Sequence, residues 1–157
     1  MAALYVGPPA RRRLGSGPMP TVFTRIIDGE IPGTFVWRDD RCVVFMSINP
    51  MARGHALVVP IEELDHWVDG DPALLAHLFE VTRIIGGAQH AAFAPERVGV
   101  IIAGYEVPHT HIHVIPTDSM SQLSFANAAA SVDRDDLEAA AEAIRTELRS
   151  MGRTEVV

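Results

Sequence analysis

Apolar and polar positions alternate in short bursts through the first half of the chain, then switch to helical spacing. Val22 to Asp28 is a short apolar segment closed by Gly29 and Pro32. Two strand-like runs follow, Thr34–Arg38 and Cys42–Met46, with Asp39, Asp40 and Arg41 as the turn between them. Ser47 to Pro50 reads as a loop, and His55–Val59 as a third strand stopped by Pro60. Asp71 and Pro72 supply an N-cap and a first helical residue, and Leu74, Leu75, Leu78, Thr82 and Ile85 recur at helical spacing. Gly86 and Gly87 either end that helix or lie inside one that runs to about Ala92. Arg97–Ala103 and Thr110–Ile115 predict two more strands. A last helix is expected over about Asp135–Met151, with Leu137, Ala140, Ala141, Ile144, Leu148 and Met151 on one face and Gly152 as its stop. The predicted class is α+β: roughly five strands in an antiparallel sheet, covered on one side by a central helix and a C-terminal helix.

The first twenty residues change that picture. Gly7, Pro8, Pro9, Gly15, Gly17, Pro18 and Pro20 resist regular structure, so residues 1–20 read as a flexible tail ahead of one domain over 21–157. The run Arg11-Arg12-Arg13 within it reads as a solvated charge cluster. In 157 residues, 48% hydrophobic and 21% charged, there is enough apolar material for a core without covalent staples. The net charge is −7, and the tail holds three arginines and no acid, so the body is more acidic still. Such a body is a poor partner for nucleic acid, whose affinity needs clustered cations. A small anionic ligand stays possible where local dipoles and ring N–H groups meet it. One cysteine, Cys42, excludes an internal disulfide and a multi-cysteine zinc site, and in its strand it reads as inert core. No apolar run reaches the roughly 20 residues of a membrane helix. No apolar stretch near the N-terminus looks like a secretory signal. A cytoplasmic setting is expected.

The sharpest chemistry lies in Pro108-His109-Thr110-His111-Ile112-His113-Val114-Ile115-Pro116. On a strand, His109, His111 and His113 share one face, and Thr110, Ile112 and Val114 share the core face. Three imidazoles side by side cannot cheaply all be protonated, so mutual repulsion favours neutral rings. The triplet by itself allows a chance cluster of half-exposed histidines, a metal site built from alternate strand histidines, or phosphate chemistry with histidine as nucleophile.

The rest of the chain resembles the histidine triad (HIT) superfamily, in its Hint-like nucleotide-binding branch. That family's signature is His-φ-His-φ-His-φ-φ with φ apolar, and His109 to Ile115 fits it with Thr110 as the one weak φ. Val22 to Pro32 is similar to its N-terminal segment, and Asp39 to Phe45 to its first hairpin. Ile48-Asn49-Pro50 and Gly54-His55-Ala56-Leu57-Val58-Val59-Pro60 are similar to its loop and third strand. The resemblance implies a HIT-like fold and a homodimer with strands continuing across the interface. It also implies a hydrolase or transferase acting at the α-phosphate of purine nucleoside phosphoramidates or related nucleotide conjugates. Cleavage of dinucleoside polyphosphates, or nucleotide binding with little turnover, are the other activities it allows.

Residue by residue, the resemblance makes His111 the nucleophile that forms a nucleotidyl-histidine, and His113 a contact to phosphate oxygens. His109 would present its carbonyl to the His111 ring, and His55 would belong to the same site. An apolar base slot would come from Val22, Phe23, Ile26, Phe45, Ile48 and Leu57. Ser47 stands where the family usually has an acid gripping the ribose hydroxyls, with Asn49 beside it. Glu106 and Val107 stand in a Gly104-Tyr105-Glu106-Val107 stretch where the family often has Gly-Gln-Ser/Thr-Val against the phosphate or leaving group. Some members carry a Cys-x-x-Cys zinc pair near the N-terminus. Thr21 and Thr24 take those positions, so neither metal nor cofactor is expected. His66, His77 and His90 read as surface residues, and Trp37 and Trp67 as packing.

Overall fold

The computed structural model describes residues 19–157. The tail reading of residues 1–20, including the arginine run, therefore lies almost wholly outside the described residues. The apolar segment after Thr21 is a short helix, α1 (Val22–Ile27), capped by the Thr21 hydroxyl accepting from Thr24 N–H. Strands β1 (Phe35–Arg38), β2 (Cys42–Met46) and β3 (Ala56–Pro60) form a meander. Helix α2 (Pro72–Phe93) leads to β4 (Arg97–Ile101) and β5 (Ile112–Thr117), and α3 (Arg134–Ser150) closes the chain. The sheet order is β1-β2-β3-β5-β4, with every pair antiparallel. No helix among the described residues is long and apolar enough to cross a membrane.

Each strand sends alternate side chains to opposite faces, and the two faces differ. One packs Val44, Val58, Ile112 and Val114 against Leu78, Val81 and Ile85 of α2 and Ala141, Ile144 and Leu148 of α3. The other carries Phe23, Val43, Phe45, Leu57 and Val59. Helices therefore lie on both faces, because the short segment around Phe23 coils and covers the second. In β1 a bulge between Phe35 and Trp37 breaks the alternation, so Val36 and Trp37 both join the larger core.

Helix α2 runs through Gly86 and Gly87. A side chain on Gly86 would meet Val98 Cγ1 at 3.4 Å, so the bare backbone brings the helix close to β4 and β5. Its stop is Ala94 in the left-handed region (φ 48°), with its N–H bonded to His90 O. In α3, Met151 sits at the C-cap and is exposed, while the rest of the expected stripe is wholly or partly buried. Arg145 joins this helix to β1 by donating twice to Phe35 O, at 3.0 and 2.7 Å.

The histidine segment departs from a continuous strand. The β5 ladder begins at Ile112, so His109 and His111 precede it. The reason is a different backbone partner: Thr110 N–H donates to Leu64 O in the loop after β3. His55 likewise lies one residue before β3.

Candidate active site

Strand β5 sits between β3 and β4, with His113 opposite Leu57 on one side and Ile101 on the other. This places His113 mid-sheet on the face that carries Phe23, Phe45 and Leu57. A cavity of about 970 Å³ opens there, within the size range of small-molecule sites. His55, His111, His113, Val22, Phe23, Ile26, Phe45, Ser47, Ile48, Asn49, Leu57, Glu106 and Val107 all line it. His109 does not: it is fully buried behind the wall.

The hydrogen bonds assign the ring protons. His111 Nδ1 lies 2.7 Å from the carbonyl oxygen of His109, which only accepts, so Nδ1 carries the hydrogen. In the neutral ring, Nε2 then holds a bare lone pair. Met51 N–H donates to His55 Nδ1 at 3.1 Å, so the His55 proton sits on Nε2. That nitrogen lies 2.9 Å from His113 Nδ1, which must accept. The His113 proton is thereby placed on Nε2. The rings of His111 and His113 are 4.8 Å apart between centroids, so an unprotonated ring nitrogen and an N–H donor stand side by side.

The same burial keeps these rings neutral. Desolvation, and then the neighbouring His111, bring His55 down to about 4. Desolvation, then His111 and His55, bring His113 down to about 3. His111 is also lowered by burial, although its bond to the His109 carbonyl pulls the other way. Behind the histidines, the Gln89 amide donates to Gly54 O and Val114 O at 2.9 Å each, bracing the residues that adjoin His55 and His113. Gln89 sits on the buried face of α2, where nothing local separates a clamp from ordinary packing.

The remaining predicted residues fall into place unequally. Phe23 is edge-on to Phe45 (5.5 Å) and to His111 (4.9 Å), so it forms both slot wall and ring support. Ile48 is 68% exposed and offers an open apolar flank. Ser47 Oγ accepts from Asn49 N–H at 3.3 Å and keeps its own proton to donate. Asn49 is partly committed elsewhere: its Nδ2 donates to Ala129 O and Ala130 O, leaving Oδ1 for a ligand. The exposed Glu106 side chain stands at the rim.

One wall escaped the sequence reading. Phe125, Ala128, Ala129, Val132, Arg134 and Leu137 also line the cavity. Phe125 is edge-on to His113 at 5.1 Å. The segment before α3 has no periodic pattern, and only its tether to Asn49 and its packing on His113 bring it here. His66 and His90 are exposed, as expected. His77 is instead half-buried, with Nε2 2.8 Å from Asp39 Oδ2. Trp37 Nε1 and the N–H groups of Arg41 and Cys42 donate to the same carboxylate. Partial burial opposes ionisation of Asp39, but these donors and His77 win and bring it down to about 2. Burial and the adjacent Asp39 push the Cys42 thiol far up, in keeping with an inert residue.

Comparison with known proteins adds an independent line. The family model for the HIT domain matches residues 28–120. An uncharacterized HIT-like protein of Mycobacterium tuberculosis is 30% identical over 135 residues, 83% of this chain and 94% of that protein. Adenylylsulfatase HINT3 of Arabidopsis thaliana is 30% identical over 100 residues, 60% of this chain and 51% of its own length. The crystal structure of a Hit-like protein involved in cell-cycle regulation from Bartonella henselae superposes with a TM-score of 0.73 at 28% identity, covering 82% of this chain and 96% of that one.

Proposed function

The chain belongs to the HIT family, and from that premise we propose that it hydrolyses nucleotide conjugates at the α-phosphate through a covalent nucleotidyl-His111 intermediate. Purine nucleoside phosphoramidates or related monophosphate esters are the substrate class. The observation that carries this reading is the Nδ1–H of His111 bonded to His109 O, which leaves Nε2 unprotonated in a ring that lines the cavity.

In the first step the Nε2 lone pair attacks the α-phosphorus, and the bond to the leaving group breaks. The leaving group departs with that electron pair and takes a proton from solvent. In the second step water attacks the nucleotidyl-histidine, the P–N bond to His111 breaks, and one proton is released. The mononucleotide leaves and the proton balance is restored. Two steps replace one direct attack of water on an anionic centre. The His113 Nε2–H is a donor for the charge that builds on the phosphoryl oxygens. The slot of Phe23, Ile26, Phe45, Ile48 and Leu57 takes the base by packing, so discrimination between purines is modest. Ser47 and the Asn49 Oδ1 meet the ribose, and Glu106 favours a cationic leaving group. Among the described residues that line the cavity, Arg134 is the one permanent cation, which favours a single phosphate over a long polyphosphate. The name of adenylylsulfatase HINT3 gives a relative acting on an adenylyl compound, the same half-substrate.

A homodimer belongs to the same reading. The outer edge of the sheet at β1 is engaged by the C-terminal segment, where Arg38 N–H donates to Glu155 O. Strand β4 is the opposite edge, with Val100 exposed, and a second copy pairing there would cover it. The deciding experiment is rapid acid quench with a purine nucleoside phosphoramidate, followed by intact mass. The expected result is a nucleotidyl adduct on the wild-type chain and none on His111→Ala. Tight nucleotide binding without adduct or turnover would make the protein a binding module instead.

A further inference from the structure

We propose that Thr21 is a positioning residue for the His111 nucleophile, acting through the ring of His109. The inference rests on the reading of His111 as nucleophile, but its geometry stands outside the cavity. His109 is fully buried and lines no part of the cavity, so it does not reach a ligand. A buried imidazole needs a partner at each nitrogen. Its Nε2 lies 2.8 Å from Pro60 O, an acceptor, so Nε2 carries the hydrogen. In the neutral ring, Nδ1 must then receive a hydrogen bond, and the donor is the Thr21 hydroxyl at 2.9 Å. With both ring nitrogens held, the His109 backbone carbonyl is held too, and that carbonyl takes the His111 Nδ1–H.

Thr21 Oγ1 has two acceptors for its proton, Thr24 Oγ1 at 3.2 Å and His109 Nδ1 at 2.9 Å, and the shorter contact to the more basic ring nitrogen takes it. Thr24 Oγ1 lies 2.6 Å from Glu63 Oε1 and gives its proton to that carboxylate. The same oxygen accepts from Thr21 N–H at 2.7 Å, and these two bonds hold the Glu63 carboxyl below its ordinary range. Thr24 N–H donates to Thr21 Oγ1 at 3.1 Å. Thr21 Oγ1 thus receives from the Thr24 backbone, and its own proton is left for His109. One hydroxyl therefore caps α1 and sets the His109 ring. The helix it caps also carries Phe23, whose ring stands edge-on to His111 at 4.9 Å.

The rival account is that Thr21 merely caps a helix, and substitutions separate the two. Serine keeps both the cap and the donor. Aspartate keeps the cap but has no proton to give at neutral pH, and valine keeps neither. The test uses the full chain labelled with ¹⁵N-histidine, its imidazole tautomers read without ligand by long-range ¹H–¹⁵N correlation, and steady-state kinetics on a purine nucleoside phosphoramidate. The wild type should show His109 protonated on Nε2 and His111 on Nδ1. Thr21→Ser should keep both signatures and stay within about threefold in kcat. Thr21→Asp and Thr21→Val should disturb the His109 signature and mix the His111 tautomers. They should lower kcat about tenfold or more with KM nearly unchanged, as expected when a donor that orients a reacting group is lost. A wild-type His111 found protonated on Nε2, or a Thr21→Asp protein with wild-type tautomers and kcat, would overturn the proposal. Because the tautomers are read in the ligand-free protein, a chain that fails to turn over the substrate refutes the proposed activity, while the tautomers of the Thr21 variants still decide whether Thr21 sets the His111 ring.

Discussion

The two faces of the sheet are built from the same strands and do opposite work. On the face under α2 and α3, Val44, Val58, Ile112 and Val114 meet aliphatic side chains and leave little room. On the other, α1 is only six residues long and covers a small aromatic cluster, and the cavity lies beside it. Polar groups gather where covering is incomplete, and each one there is answered by a bond: His55 by Met51 and His113, His111 by His109, His109 by Pro60 and Thr21. The first face supplies stability and the second uses it to hold neutral imidazoles in fixed tautomers. Such a division separates substitutions that damage the fold from those that damage the chemistry.

The largest separation is expected at His111. His111→Ala should abolish the trapped adduct and lower turnover by about 10³-fold or more, while the thermal midpoint moves little, as removal of a nucleophile does. The mirror substitution is Ile144→Ala on α3, a fully buried side chain. It should cost roughly 2–5 kcal/mol in denaturant unfolding and leave kcat per folded molecule unchanged. A large loss of kcat in the folded fraction would show that the faces are not independent.

Next comes pH, which between 7.5 and 4.5 acts mainly through the histidines of the second face. His55 and His113 have folded-state values of about 4 and about 3, below the 6.5 of the unfolded chain. Between those limits the unfolded state binds more protons, so stability is full above pH 6.5 and falls as pH drops. By pH 5 each ring should have cost about 2 kcal/mol. Equilibrium unfolding from pH 7.5 to 4.5 checks this, and a flat profile would contradict the buried neutral pair. Under the proposed mechanism turnover depends on neutral His111, whose value is also lowered, so the acid limb of kcat/KM should have its midpoint below 6.5.

A smaller effect tests the relay between the rings. His55→Phe keeps an aromatic body but removes the donor to His113 Nδ1. It should lower kcat by roughly 10–100-fold with a modest change in KM, since a preorganised donor is lost. The smallest effect lies far from the chemistry. Ala94 sits in the left-handed region at the end of α2, so Ala94→Gly should raise stability by about 1 kcal/mol and leave kinetics alone.

Much of this molecule can be read along the chain. The short apolar run Cys42–Met46 behind its Asp39-Asp40-Arg41 turn, the N-cap at Asp71 and the stripe of α3 specify their elements locally, since turns, caps and helical period are short-range signals. The histidine spacing marks a candidate site but by itself leaves metal binding and phosphate chemistry both open. Tertiary contacts settled the rest. Gly86 and Gly87 read equally as a helix end or as helix interior, and tertiary packing decides for the interior, with Gly86 set against Val98 of β4. His109 and His111 read as ladder residues, but Thr110 bonds to the Leu64 loop instead. The wall at Phe125, the clamp at Gln89 and the Thr21 hydroxyl on His109 join residues 12, 25 and 88 positions or more apart. No local pattern encodes such pairs, because hydrogen bonds and ring contacts depend on distance in space, and the sequence records only order along the chain.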